Sequence, residues 1–163
     1  MGVGYSAGMD ETTRTLIARH RLEPHPEGGH YRRTHASAVE VEANGHRRPA
    51  MTAILYLLEA AGRSAWHRVD ADEAWHWQQG GALELLQFDA QSGALSSARL
   101  GPPPEGRASC IVPAGTWQSA FAPDEAVLVT CTVAPGFVWE GFELLDAAGD
   151  VARRLARLGA LHP

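Results

Sequence analysis

The sequence predicts one all-β domain, a sandwich or barrel with a short helix near each end. Roughly ten short β-like segments follow one another at close spacing, with turn-forming glycine, proline or asparagine between them. Alternating strands and long helices, the pattern of a parallel βαβ sheet, do not occur. With 163 residues the chain suffices for one domain with a sizeable core and is short for two. We expect residues 1–9 to be mobile and residues 10–163 to form a single domain.

The N-terminal part of that domain predicts a helix followed by a rigid turn. Asp10 suits the N-cap of a helix that ends near His20, because its carboxylate can accept a hydrogen bond from the first turn. Leu16 and Ile17 lie on one face of this helix. Residues 22–29 contain two prolines, which fix φ, and two glycines, which free it, so they predict a rigid turn.

The rest of the chain predicts strands wherever apolar and β-branched residues cluster between turn signals. Asn44-Gly45 is a strong hairpin signal, because both residues tolerate the positive φ of a tight turn. Residues 51–58 are continuously apolar, which suits a strand buried on both faces. We expect Asp150 to cap a final helix. The predicted strands are 30–35, a hairpin within 39–48, 51–58, 64–69, 73–78, 82–88, 94–100, 109–112, 116–121 and 125–133, resuming over 137–145.

Charge and composition exclude several classes of partner. The net charge of −5 and the absence of an arginine- or lysine-rich block disfavour nucleic acid. No apolar run reaches the length of a membrane span, so no membrane partner is expected. The N-terminus lacks a secretory pattern, and Cys110 and Cys131 form no disulfide framework, so we expect a cytoplasmic protein with buried, inert thiols. The arginine pairs at 32–33, 47–48 and 153–154 are expected to be solvated.

Residues 64–80 carry the strongest functional signal. His67 ends one predicted strand and Glu73 begins the next, and Gly80-Gly81 predicts a turn after it. A hairpin formed by these strands would bring the imidazole and the carboxylate into one small space. Such a pair makes either a metal site or an acid–base pair.

The same segment resembles the first motif of the cupin superfamily, which contains two histidines, a glutamate and a glycine. His67 and Glu73 match this motif, whereas Val69 stands at the second histidine position. Residues 113–118 match the Pro-x-Gly core of the second cupin motif, with Gln118 at its histidine position.

Four ordered segments together resemble one branch of that superfamily, the Cupin_5 family, also called DUF985. They are residues 24–29, 72–76, 112–118 and 132–137. The similarity extends from about Leu16 to Leu145. It implies the cupin double-stranded β-helix, a jelly-roll barrel with a pocket at one end, commonly paired as a homodimer. It implies no particular reaction.

The resemblance also implies positions for metal ligands, which in typical cupins are three histidines and a glutamate. This chain has His67, Val69, Glu73 and Gln118 there. Valine has no donor atom, and the amide oxygen of glutamine is a poor ligand for transition metals. We therefore expect that no cofactor is required. The alternative is a divalent metal held by His67, Glu73 and Gln118.

Without a metal, His67 and Glu73 can form an acid–base pair. Val69 shares a face with His67 and would provide an apolar wall that raises the cost of charging either group. Such a pair is usable near neutral pH. The alternative is a hydrogen bond with a structural role only. His76 lies on the opposite face of an ideal strand from Glu73, so it reaches the pocket only if a β-bulge intervenes, and otherwise lies on the outer face or at a subunit contact.

Other polar and aromatic residues complete the list of pocket candidates. Prolines and glycines around Glu27 hold its carboxylate in a fixed direction. Tyr31 and Arg33 share one face of their strand, and an inward arginine would favour an anionic ligand. The five tryptophans, Trp117 among them, are mostly core or interface residues, with one or two expected to contact a ligand.

These observations predict a cupin that binds a small molecule without a tightly held metal. By analogy with metal-free sugar epimerases of the superfamily, the leading activity is isomerisation or epimerisation of a sugar or keto acid. His67 or Glu73 would be the base, Tyr31 the acid, and Gln118 with an arginine the positioning groups. The alternatives are a non-catalytic ligand-binding or sensor cupin and a metal-dependent oxygenase or isomerase. The predicted ligand-binding residues are Glu27, Arg33, His76, Trp117 and Gln118.

Overall fold

A computed structural model describes residues 9–161 of the chain. Antiparallel β-sheet dominates this part, with one α-helix near each end, so the predicted fold class is confirmed. The mobile segment expected for residues 1–9 lies, apart from Met9, outside the described residues. No helix in the described range is long and apolar enough to cross a membrane.

The secondary-structure elements follow the predicted order. Helix α1 spans Glu11–His20, helix α2 spans Asp150–Arg157, and a 3-10 helix spans Trp139–Gly141. The strands of residues 9–161 are β1 Glu23–Pro24, β2 His30–Ala36, β3 Glu40–Ala43, β4 His46–Pro49, β5 Thr52–Leu58, β6 His67–Val69, β7 Asp72–Gly80, β8 Leu83–Phe88, β9 Leu95–Leu100, β10 Ser109–Val112, β11 Trp117–Phe121, β12 Val127–Ala134 and β13 Phe142–Leu144.

Two main sheets form the sandwich. Sheet I has the strand order β1-β2-β5-β12-β7-β10, and sheet II has the order β13-β6-β11-β8-β9. Strands β3 and β4 form a separate hairpin around Asn44-Gly45, as predicted. Both turn residues have positive φ, 52° and 78°, as a tight hairpin turn requires.

The hairpin expected between β6 and β7 is wrong, because these strands belong to different sheets. The chain crosses from sheet II to sheet I after Val69 and crosses back after Gly80. His67 and Glu73 therefore approach each other across the sandwich instead of along a shared strand edge.

The main core lies between the two sheets. Trp75 and Val129 of sheet I pack with Leu85 and Ala120 of sheet II, and all four are at most 1% exposed. Burying apolar area of this kind is the main favourable term in folding. Toward β6 and β13 the packed core gives way to a cavity, which is described below.

The N-terminal helix begins as predicted, whereas the C-terminal part of the described chain differs from expectation. Asp10 caps α1 as predicted, since its carboxylate accepts a hydrogen bond from the Thr13 backbone N–H at 2.7 Å. At α2 the N-cap is Gly149, and Asp150 is the first helical residue, so its expected capping role is wrong. The strand expected over residues 137–145 is shortened to β13, because the 3-10 helix interrupts it.

Arg48 also departs from expectation, since it is fully buried rather than solvated. Its guanidinium donates two hydrogen bonds to Asp70, at 2.8 and 2.9 Å, and one to the Gly136 carbonyl at 2.6 Å. These partners compensate a charge that burial would otherwise make costly. Arg48 thereby ties β4 to two loops beside the cavity.

Candidate functional site

A cavity of about 440 Å³ lies at one end of the sandwich. Both sheets contribute to its wall, together with the turn before β2 and the segment around the 3-10 helix. Its lining residues are Glu23, His25, Glu27, Tyr31, Arg33, Pro49, Thr52, Ile54, Tyr56, His67, Val69, Glu73, Trp75, Cys131, Val133, Phe137, Val138, Trp139, Glu140 and Phe142.

Glu27 enters the cavity from the turn between β1 and β2. Gly28 after it has a φ of 104°, and a Cβ there would lie 2.8 Å from the Arg63 carbonyl oxygen, so this turn requires glycine. The Gly28 carbonyl accepts a hydrogen bond from the Tyr56 hydroxyl at 2.8 Å. The conformation and the hydrogen bond of Gly28 fix the turn. The Glu27 side chain is held inward with little exposure.

His67 meets this carboxyl group from β6. Its Nε2 lies 3.2 Å from Oε2 of Glu27, and its Nδ1 lies 2.8 Å from the Ala65 carbonyl oxygen. Because a carbonyl oxygen can only accept, Nδ1 carries a proton, and in the neutral ring Nε2 holds a lone pair. The contact between Nε2 and Glu27 then requires one proton, held by either group.

Glu27, not Glu73, is therefore the carboxyl group that contacts His67 directly. The predicted contact between His67 and Glu73 depended on a shared hairpin, which the protein does not form. The crossing between sheets places Glu73 on the opposite wall of the same cavity, while the turn at Gly28 brings Glu27 next to the imidazole.

Glu73 is held from behind by a chain of hydrogen bonds. Gln118 Nε2 donates to Glu73 Oε2 at 2.6 Å, and Gln118 Oε1 accepts from the Trp75 indole N–H at 2.9 Å. These bonds fix the orientation of the Gln118 amide and leave the carboxyl group facing the cavity.

Burial shifts the pKa of every central group in the direction that favours the neutral form of that group. Loss of water raises the pKa of Glu27 from 4.5 to about 8 and the pKa of Glu73 to about 7. The same cause lowers the pKa of His67, and it lowers the pKa of His25 from 6.5 to about 4, with help from the nearby His67. The cavity therefore holds two carboxyl groups that exchange protons near neutral pH beside a neutral imidazole.

Tyr31 and Arg33 both line the cavity, which settles the orientation of β2. Tyr31 is half-buried there. The Tyr31 ring meets the His25 ring edge to face with centroids 4.6 Å apart. The Arg33 guanidinium is exposed and lies 5.8 Å from the centroid of the Phe137 ring.

His76 and Trp117 do not line the cavity. His76 is on the outer face of β7, where its Nε2 lies 3.5 Å from the Thr132 hydroxyl, and no bulge turns it inward. Trp117 alternates with the inward Gln118, so its ring packs on the other side of sheet II against α2. Gln118 donates a hydrogen bond to Glu73 and is not among the residues that line the cavity.

Several residues of the cavity were not predicted from the sequence. His25 is the most central of them, because its Nδ1 accepts a hydrogen bond from the Glu27 backbone N–H at 3.2 Å and its ring lies among four aromatic rings. Its position in the string of residues 24–29 was the available signal. Others include Tyr56, Cys131, Phe137, Trp139 and Phe142.

The positions that the cupin resemblance assigns to metal ligands do not fit a metal ion in this chain. Val69 has no donor atom, and both amide atoms of Gln118 are already bonded, to Trp75 and Glu73. The free nitrogen of His67 faces Glu27. Among residues 9–161, no group of three or more histidine, cysteine, aspartate and glutamate side chains is arranged to hold a metal.

Comparison with known proteins gives a consistent family. A family model described as Cupin_5, Cupin superfamily (DUF985), matches residues 14–145. A hypothetical protein from Leishmania major is 29% identical, with 89% of this chain and 90% of that chain covered and a TM-score of 0.77. A protein from Shewanella oneidensis is also 29% identical, with 91% and 96% covered and a TM-score of 0.78.

More distant similarity extends to an enzyme of the same fold. Oxalate decarboxylase from Bacillus subtilis is 16% identical, with 85% of this chain but only 34% of that chain covered and a TM-score of 0.56. At this identity the likeness shows the jelly-roll fold alone. No curated protein sequence is significantly similar to this chain.

Proposed function

The chain belongs to the Cupin_5 (DUF985) family of the cupin superfamily, and from the chemistry of its cavity we propose that it is a metal-independent enzyme that moves protons on a small polar substrate. Isomerisation or epimerisation next to a carbonyl group is the reaction class that needs only a base and an acid. One observation carries the proposal: a neutral imidazole with a fixed tautomer faces the same small cavity as two carboxyl groups whose pKa lies near neutrality.

The proposed roles follow from the positions of the three groups. Glu73 in its ionised form removes a proton from the carbon next to the carbonyl. The proton held between His67 Nε2 and Glu27 on the opposite wall is donated to the carbonyl oxygen, which gives an enediol. Collapse of the enediol returns the proton of Glu73 to carbon and the proton of the enediol oxygen to His67 and Glu27, so no oxidant or metal is consumed. Tyr31, which lines the same cavity, contacts a distal part of the substrate.

Deuterium exchange measured by NMR tests this proposal. In heavy water, wild-type protein should exchange the carbon-bound proton of at least one of a panel of sugars and keto acids. Replacing His67 with Gln removes the imidazole that holds the donated proton with Glu27 and should slow exchange by about 100-fold or more. The control is His20→Gln, which changes a histidine at the end of α1, outside the cavity, and should leave the rate unchanged.

A metabolite that binds to the cavity without any exchange above background would contradict proton transfer. The protein would then be a non-catalytic ligand-binding or sensor cupin. Circular dichroism of His67→Gln should match the wild type, which separates loss of the proton donor from loss of the fold.

Elemental analysis of the purified protein tests independence from metal. Since two of the four usual ligand positions hold Val69 and Gln118, we expect iron, manganese, nickel and zinc far below one ion per chain. Near-stoichiometric metal, together with lower activity after chelation, would favour the metal-dependent alternative. The homodimer and the cytoplasmic location expected from the sequence stay predictions.

A further inference from the structure

Acidic side chains outnumber basic ones around the cavity. Four carboxyl groups line it, those of Glu23, Glu27, Glu73 and Glu140, against the single guanidinium of Arg33. Glu27 and Glu73 are buried at its base, and Glu23 and Glu140 are exposed at its rim. The exposed carboxylates at the rim attract a positive charge, and a cation beside Glu27 and Glu73 would favour the ionised forms of these two groups, so this arrangement favours a positively charged ligand.

Aromatic rings form the entrance, which we call the aromatic mouth: His25, Tyr31, Phe137, Trp139 and Phe142. Trp139 meets Phe137 and Phe142 at nearly right angles, 87° and 85°, with centroids 5.0 and 5.6 Å apart. These edge-to-face contacts hold the three rings in fixed orientations. Trp139 is nevertheless 50% exposed, so its indole is available to a ligand.

The aromatic mouth already contacts one cation of the protein itself. The guanidinium of Arg33 lies against the Phe137 ring, 5.8 Å from its centroid. A ring face attracts a positive charge through its quadrupole, and the attraction grows when water is excluded. A ligand cation deeper in the cavity would have this attraction together with that of the buried carboxyl groups.

We propose that the substrate of this site is a small organic cation, a compound with a protonated amine or quaternary ammonium group. Its charged nitrogen lies between the aromatic mouth and the carboxyl groups of Glu27 and Glu73, and its apolar part contacts Ile54 and Val133. This deepens the proposed function, on which it rests for the site and the reaction. The cavity volume falls within the range of about 300–1000 Å³ typical of small-molecule sites.

An anionic or a neutral ligand explains fewer of these features. An anion would find one partner, Arg33, at the exposed rim and two buried carboxyl groups below it. A neutral sugar could hydrogen-bond to those carboxyl groups. It would not account for the excess of negative charge at the rim, where Glu23 and Glu140 lie. Only a cation uses the rings and the carboxyl groups together.

Isothermal titration calorimetry with a matched pair of compounds tests the charge preference. Choline carries a quaternary ammonium, and 3,3-dimethylbutan-1-ol has the same shape with a neutral carbon in place of the nitrogen. Choline should bind roughly tenfold more tightly than the alcohol, since only its charge differs. Equal affinities, no measurable binding of choline at millimolar concentration, or tighter binding of inorganic phosphate would overturn the proposal.

Two rim variants should change choline affinity in opposite directions. Glu140→Gln removes an attracting charge and should weaken binding about threefold, whereas Arg33→Gln removes a repelling charge and should tighten it about threefold. Glu105→Gln, in the exposed loop between β9 and β10, serves as the control with no effect. Weaker binding in Arg33→Gln would mean that this arginine binds a negative group, and the proposal would fail.

The calorimetry separates this inference from the proposed reaction, because binding needs no turnover. Selective binding of choline without proton exchange on any substrate would support the cation site and contradict the enzyme. Proton exchange on neutral sugars or keto acids, with no preference for choline over the alcohol, would support the enzyme and overturn the cation site.

Discussion

Glu27 links the chemistry of the cavity to the stability of the fold. The unfolded chain loses the Glu27 proton near pH 4.5, whereas burial keeps that proton in the folded chain up to about pH 8. Between these values the folded state binds more protons, so the free energy of unfolding falls as pH rises. His25 has the opposite effect below pH 6.5, because its folded pKa is about 4 and protonation then favours unfolding. Only the carboxyl groups act between pH 6.5 and 8.

Urea unfolding at pH 6.5 and 8.5 measures this effect. We expect the wild type to lose about 3 kcal/mol of stability over this range, and Glu27→Gln to lose about 2 kcal/mol less, because glutamine does not titrate. The matched control is Glu23→Gln, an exposed residue of the same segment, which should behave as the wild type. An unchanged pH slope in Glu27→Gln would show that Glu27 is ionised in the folded protein near neutrality.

Individual residues of the site could be identified from the sequence better than their contacts. Glu27, His67 and Glu73 were identified because motifs carry them, and all three line the cavity. The bond between His67 and Glu27 could not be predicted, since it joins residues 40 positions apart whose meeting depends on how the sheets pack. His25 has no periodic pattern around it, so only its place in the segment of residues 24–29 distinguishes it from a surface histidine.

At the scale of elements, Gly80 controls the passage from sheet I to sheet II. It ends β7 with a φ of 92°, and a Cβ added there would overlap the carbonyl oxygen of Ala126. Both the backbone conformation and the close approach therefore require glycine. Since β7 carries Glu73 and Trp75, a shift of its end would be transmitted toward the site.

Gly80→Ala should destabilise the protein by about 3 kcal/mol or more, as judged by denaturant unfolding. Gly45→Ala is the informative comparison, because Gly45 also has positive φ, 78°, but no atom lies within 4 Å of a Cβ there. We expect about 1 kcal/mol for Gly45→Ala. Equal losses in the two variants would mean that the contact with Ala126 relaxes easily and that only the backbone conformation matters.

Strands could be located from local patterns, but their partners could not. The turn at Asn44-Gly45 joins two strands that pair with each other, whereas the turn at Gly80-Gly81 joins strands in different sheets. Both dipeptides permit a tight turn, and the sequence alone does not distinguish a hairpin from a crossing. Pairing is decided by which apolar faces become buried together, a long-range property.

At the scale of the whole molecule, the C-terminal segment completes the fold. Helix α2 lies beyond the region matched by the family model, residues 14–145, yet Leu155 in it is fully buried. It packs on the outer face of sheet II with Trp66 and Trp117. The Trp66 indole N–H also donates a hydrogen bond to the Ala160 carbonyl at 3.1 Å. Sheet II is thus covered on both faces.

Leu155→Ala should therefore lower the free energy of unfolding by about 3 kcal/mol, because it leaves a cavity between α2 and sheet II. Leu158→Ala, in a residue that is 50% exposed at the end of the same helix, should cost less than about 0.5 kcal/mol. Thermal and urea unfolding would provide both values. Similar small losses in the two variants would indicate that α2 contributes little to the packing of this domain.

The architecture as a whole could be predicted because strand spacing and the family-like segments agree with each other. The cavity could not, because its lining comes from distant parts of the chain, from Glu23 to Phe142. Neither its volume nor its excess of carboxyl groups is visible until the two sheets are assembled.

The division of the central groups between the sheets has a mechanical consequence. His67 moves with sheet II and Glu73 moves with sheet I, so a slight parting of the sandwich would pull donor and acceptor out of reach while most strands stay intact. On heating, activity should be lost at a lower temperature than the secondary structure. A ligand bound between the two sheets would hold them together and raise both temperatures.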